Sequence, residues 1–264
     1  MPIVSRDGAR IYWTALGRGE PVVLVMGLGC SSAMWFRVAP VLARTHRVIL
    51  IDNRGSGHTR VPFFVVHRVN AMSEDIGAVL DAAGESSAHL IGFSMGGMIA
   101  QQFCVDHPDR VRSLALLGTH CGTPWAIQAE ASVRKLLFDK ANMGPEESLR
   151  AMRPYTYAAK TPDRLFEEDA VVRLANMPSA RDYQAQLFAL FYWSVYLQLP
   201  ELDLPVLVLH GLQDALIPSA NGALLASRLR HSRLVELPEA SHWLMTDSNS
   251  ACLNELGDHL ARNR

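Results

Sequence analysis

The chain has 264 residues, of which 49% are hydrophobic and 19% charged, and its formal net charge is −1. This composition builds a compact core and lacks the concentrated basic patch of a nucleic-acid surface. The longest apolar runs fall far short of the ~20 residues of a membrane span. Residues 1–8 lack the basic start and apolar core of a signal peptide. The expected location is therefore the cytoplasm, with neither nucleic acid nor membrane as partner. Cys30, Cys104, Cys121 and Cys252 are widely spaced and form no C-x-x-C pair, the pattern of free thiols in a reducing compartment. No His, Cys or carboxylate cluster has metal-ligand spacing, so neither metal nor cofactor is expected.

In chain order, Asp7-Gly8 reads as a hairpin turn between strands at 3–5 and 10–16. A second break, 17–21, leads into 22–26, an unbroken apolar run fitting a strand buried on both faces of a parallel sheet. The small-residue loop 27–32 follows, then a short helix at 34–43 and a buried strand at 48–52. A helix at 72–83 stops before Gly84. Residues 88–93 form a strand, 95–106 a helix ended by Pro108, and 114–118 a sixth strand. This alternation predicts a mostly parallel, doubly wound α/β sheet.

From 119 to 200 the alternation breaks. Helical periodicity predicts helices at 131–141, 145–152, 162–175 and 180–199, the last rich in aromatic residues. An insertion of this size is expected to form a cap over the sheet. Alternation then resumes, with strands at 204–210 and 233–237 and helices at 219–230 and 248–262. The expected organisation is a core of 1–118 and 201–264 with a helical cap at 119–200.

The chemistry centres on Gly92-Phe93-Ser94-Met95-Gly96, a G-x-S-x-G pattern between a strand and a helix. In this pattern the serine sits on a sharp turn that lifts its oxygen clear of the sheet. A serine hydroxyl needs a base within reach and a third group to orient that base. His242 lies between the last strand and the terminal helix and is the candidate base. Asp214 lies just past the strand at 204–210. Asp52, which precedes the serine, and Asp247, which follows the histidine, are alternative acids. His58 and His120 are further candidates for the pocket wall. Gly55-Ser56-Gly57 lacks the third glycine and following helix of a dinucleotide fingerprint.

With Ser94, Asp214 and His242 in this order, the chain resembles the α/β-hydrolase superfamily over nearly its whole length. Residues 95–101 and 107–111 are similar to its small-molecule esterases and lactonases, such as the 3-oxoadipate enol-lactonase and aclacinomycin methylesterase families. The resemblance implies an α/β-hydrolase fold with a cap after the sixth strand. It also implies an oxyanion hole from the backbone N–H groups of Leu28 and Met95. Many relatives carry His-Gly where this chain has Met26-Gly27, so a polar side chain that would brace this loop is missing here. The implied activity is hydrolysis of a small, largely apolar ester or lactone by a Ser94–His242–Asp214 triad. Thioester, enol-lactone or carbon–carbon bond cleavage, and a non-hydrolytic or ligand-binding role, are the alternatives. The implied partner is a small-molecule substrate; a homodimer stays open.

Overall fold

The computed structural model describes residues 2–263. One eight-stranded sheet contains β1 (Ile3–Arg6), β2 (Ala9–Leu16), β3 (Pro21–Val25), β4 (Arg47–Ile51), β5 (Ala88–Phe93), β6 (Val111–Leu117), β7 (Val206–Gly211) and β8 (Ser232–Leu237). Their spatial order is β1-β2-β4-β3-β5-β6-β7-β8. The β1–β2 and β2–β4 pairs are antiparallel, and all pairs from β4 through β8 are parallel. Asp7 and Gly8 both take positive φ in the first hairpin, as an Asp-Gly turn of that type requires.

The helices are α1 (Ala39–Leu42), α2 (Val69–Ala83), α3 (Met95–Asp106), α4 (Ala131–Asp139), α5 (Pro145–Thr156), α6 (Asp163–Ala175), α7 (Ala180–Ala189), α8 (Ala220–Arg228), α9 (Leu244–Asp247) and α10 (Asn249–Arg262). β3 explains why they cover both faces of the sheet. All five of its residues are buried. Because successive side chains point to opposite faces, Val23 and Val25 pack with Ile76 of α2 and Ile99 and Phe103 of α3. Val22 and Leu24 pack with Trp35 and with Leu256 and Leu260 of α10. The continuous apolar run is thus shared between two cores.

Two sequence-based expectations differ from the structure. The helix at 34–43 is two short pieces, a 3-10 turn at Ser32–Arg37 and then α1. Pro40 has no N–H to continue the ladder of the preceding turn, which divides the segment. The helix at 180–199 stops at Ala189. Beyond it Ser194 forms a bridge with Gly122, and Val195 N–H donates to Cys121 O at 3.1 Å. Trp193 turns inward and its Nε1 donates to Gln102 Oε1 at 2.8 Å. No glycine or proline marks this stop; a contact with residues some seventy positions earlier makes it.

Helices α4–α7 all lie between β6 and β7 in the chain. Gln186 of α7 and Asp169 of α6 join them to the loops at the C-terminal ends of the parallel strands. Catalytic and ligand groups collect at those ends in open α/β sheets.

Candidate active site

Ser94 is the single residue between β5 and α3, and its backbone takes φ 55° and ψ −123°. A non-glycine residue in that region is strained by roughly 1–3 kcal/mol. The flanking glycines make the turn sterically feasible. A Cβ on Gly96 would lie 2.0 Å from Val25 O, and one on Gly92 2.5 Å from Gly96 O. The spacing in G-x-S-x-G therefore records how closely the turn crosses β3 and its own helix. Ser94 N–H donates to Leu117 O at 2.9 Å, and Thr119 Oγ1 donates to Ser94 O at 2.7 Å.

His242, in the loop after β8, meets this serine from across the sheet end. Its Nε2 lies 3.1 Å from Ser94 Oγ, and its Nδ1 lies 2.8 Å from Asp214 Oδ2. A carboxylate can only accept, so Nδ1 carries the proton and Nε2 is left to accept from the serine hydroxyl. All three residues are buried. Asp214 Oδ1 accepts from the N–H groups of Leu216 and Ile217 at 2.9 and 2.8 Å. Burial pushes the Asp214 carboxyl up, but the facing His242 and the bonds from His210 and His242 outweigh it. The group therefore sits below its ordinary range and stays ionised at neutral pH.

His210 is a residue the sequence reading did not single out. Its Nε2 lies 3.5 Å from Asp214 Oδ2 and donates to Ile217 O at 2.9 Å. It closes the turn that carries Asp214. The two rival acids have other partners. Asp52 accepts from the N–H groups of Ser32 and His58 and braces two loops. Asp247 accepts from Ser241 N–H, Ala158 N–H and the Thr161 hydroxyl, joining the His242 loop to the end of α5.

The backbone N–H groups of Leu28 and Met95 have no protein acceptor among the described residues. Both residues line the same cavity as Ser94. The brace missing at Met26 is supplied from elsewhere. Asn53 Nδ2 donates to Met26 O at 2.7 Å, and Gly29 N–H donates to Gln186 Oε1 at 2.8 Å. The other end of Gln186 donates to Arg54 O and Ser56 Oγ at 2.7 and 2.8 Å. One buried amide thus holds two loops under α7. Gln186→Leu is expected to cost about 1–3 kcal/mol, since it leaves several buried polar groups unpaired. It should also lower kcat, because the Gly27–Gly29 turn loses its tether. Denaturant melts and ester kinetics check both.

The cavity has a volume of about 180 Å³. That is room for a small molecule. Its walls are mostly apolar, with Phe93, Met98, Leu187 and Phe191 among them. His120 also lines it and is held neutral, burial lowering its pKa to about 4. His58 lies outside, edge-on to Tyr12. Trp125 stacks on Tyr196, and neither it nor Trp193 nor Tyr155 reaches the cavity. Three cationic residues absent from the sequence reading reach it: Lys140, Arg173 and, at the exposed rim, Arg134. The four cysteines are free and buried. Among the described residues, no group of His, Cys, Asp or Glu could hold a metal ion, and no helix is long and apolar enough to cross a membrane.

The chain belongs to the α/β hydrolase fold family, whose model matches residues 20–248. A protein of Variovorax paradoxus named provisionally as carbamate hydrolase RutD is 30% identical over 250 residues, covering 92% of this chain and 92% of its own length. The 2-hydroxy-6-oxo-2,4-heptadienoate hydrolase of Pseudomonas putida is 30% identical over 261 residues, covering 93% and 91%. The solved enol-lactonase of Burkholderia xenovorans LB400 shares the fold with a TM-score of 0.87 at 23% identity, covering 98% of this chain and 100% of that one. By family and fold the protein is a hydrolytic enzyme.

Proposed function

We propose that this enzyme cleaves a small carboxylic ester or lactone, largely apolar around the scissile bond, through an acyl-enzyme on Ser94. The observation that carries this reading is the buried chain of contacts from Asp214 through His242 to Ser94 Oγ. His242 Nε2 takes the hydroxyl proton as Ser94 Oγ bonds to the carbonyl carbon. Asp214 keeps the imidazole in the accepting tautomer and stabilises the imidazolium that forms. The free N–H groups of Leu28 and Met95 receive the oxyanion. The imidazolium then protonates the leaving oxygen as the carbon–oxygen bond breaks. Water, deprotonated by His242, releases the acid and restores Ser94. The chemistry needs no cofactor, and the partner is the small-molecule substrate.

A fluorophosphonate probe tests the assignment, because phosphorus traps an activated serine in a stable adduct. Peptide mapping should find the adduct on Ser94 alone, with loss of ester turnover in proportion to labelling. Labelling elsewhere, or none, overturns the reading. A panel of p-nitrophenyl esters, lactones and acyl-thioesters then ranks the bonds cleaved.

A further inference from the structure

Lys140 and Arg173 enter the Ser94 cavity from different elements, Lys140 from the turn after α4 and Arg173 from α6. Lys140 Nζ lies 4.5 Å from the Tyr183 ring centre, and Arg173 Cζ lies 5.1 Å from that of Trp243, the residue after His242. Neither has a carboxylate within ion-pair distance among the described residues. The nearby acids are committed elsewhere. Asp139 pairs with Lys135, while Asp169 accepts from Arg37, the Tyr157 hydroxyl and the Thr246 hydroxyl. The groups facing Lys140 are Arg173, Cys30 and Tyr183. Burial opposes the charge on Arg173, but Cys30, Tyr157 and Asp169 outweigh it and keep its pKa raised. Lys140, half-buried and facing that guanidinium with no carboxylate within ion-pair distance, is the cation that a bound anion would complete. The cost is visible at Lys140, whose pKa burial and Arg173 lower to about 8. Paired rings hold both cations in place, and their cavity is the one that contains the serine.

We propose that Lys140 and Arg173 form an anion subsite of the Ser94 pocket, and that the substrate carries a carboxylate at the end away from the scissile carbonyl. This rests on the ester-hydrolase reading for the identity of the pocket but not for the binding itself. The apolar walls would hold the chain between the two ends. Specificity would come from the charge, because a half-buried cation left without an anion by a neutral substrate discriminates more strongly than an added methylene does.

Glutarate and its neutral counterpart glutaramide are suitable probes, titrated calorimetrically into the Ser94→Ala protein, which keeps the pocket without turnover. Glutarate should bind at least about tenfold more tightly than glutaramide. Lys140→Gln in the same background should remove most of that difference, and Lys140→Arg should keep it. A pH series on the Ser94→Ala protein gives a second readout. Glutarate affinity should fall as pH rises through about 8, where Lys140 loses its proton. In Lys140→Arg it should stay level, because guanidinium remains charged. A Cys30→Ser background keeps the neighbouring thiol out of this titration. In kinetics, the kcat/KM ratio of mono-p-nitrophenyl glutarate to p-nitrophenyl pentanoate should exceed about ten and collapse in Lys140→Gln. Equal binding of glutarate and glutaramide, or unchanged glutarate binding in Lys140→Gln, overturns the subsite. Selective glutarate binding without phosphonate labelling of Ser94 would uphold the subsite and sink the hydrolase reading instead.

Discussion

Ser94→Ala should lower ester turnover by a factor of about 10⁴–10⁶ in kcat while leaving the protein folded. The large loss follows from the geometry. Among the described residues, Ser94 Oγ has one hydrogen-bond partner, His242 Nε2 at 3.1 Å. Without that oxygen, the pocket can hold and polarise a carbonyl but offers it only water. The fold should survive because the backbone interactions of Ser94 run through its N–H to Leu117 O and its carbonyl to Thr119 Oγ1, and alanine keeps both. Alanine inherits the same strained φ, so no new strain arises. The comparison is kcat on a p-nitrophenyl ester beside the thermal melting curve. A variant that melts like the parent and still turns over ester at a similar rate would remove Ser94 from the mechanism. A variant that is inactive only because it is unfolded would show in the melt.

Asp214→Asn tests a different link and should cost about 10⁴ in kcat. An asparagine keeps one carbonyl oxygen for the N–H groups of Leu216 and Ile217, so the turn after β7 persists. The other end becomes an NH₂, which donates to His242 Nδ1 where the carboxylate accepted. That reverses the tautomer. The imidazole proton moves to Nε2, which then points a donor at Ser94 and cannot take its proton. The N–H groups of Leu28 and Met95 and the cavity remain, so substrate affinity should change far less than kcat. The diagnostic outcome is a collapse of kcat with a nearly unchanged KM. A loss confined to KM would show that Asp214 shapes the pocket and does not orient the base.

The two variants separate contributions that chain order alone joins. Ser94, Asp214 and His242 are far apart in the chain, the histidine 148 positions from the serine and 28 from the aspartate. Sequence could place each at the C-terminal end of a parallel strand because the strands themselves are so legible. β3, β5 and β7 are buried along their whole length, and a strand covered on both faces leaves an unbroken apolar run in the chain. The elbow was legible for a steric reason. Two glycines are obligatory where a turn passes within a methyl's width of other backbone, so the spacing survives as a pattern.

What was not legible depends on groups brought together by folding. The helix at 180–199 reads as continuous by periodicity, yet a bridge from Ser194 to Gly122 ends it at Ala189. The Met26 position suggested an unbraced loop, and the bracing comes from Asn53 and from Gln186, a side chain 157 positions away from the Gly29 it holds. Lys140 and Arg173 lie in helical segments where a charged residue is ordinarily a solvated one.

The chain by itself determined the α/β alternation, the strained serine turn and the order of Ser94, Asp214 and His242, because each is written in local spacing or in burial of contiguous residues. Only the tertiary structure decided which side chains share the serine's cavity, how the Gly27–Gly29 loop is tethered, and that Lys140 and Arg173 face that cavity. Those properties depend on desolvation and on contacts between loops far apart in sequence, which no local pattern encodes.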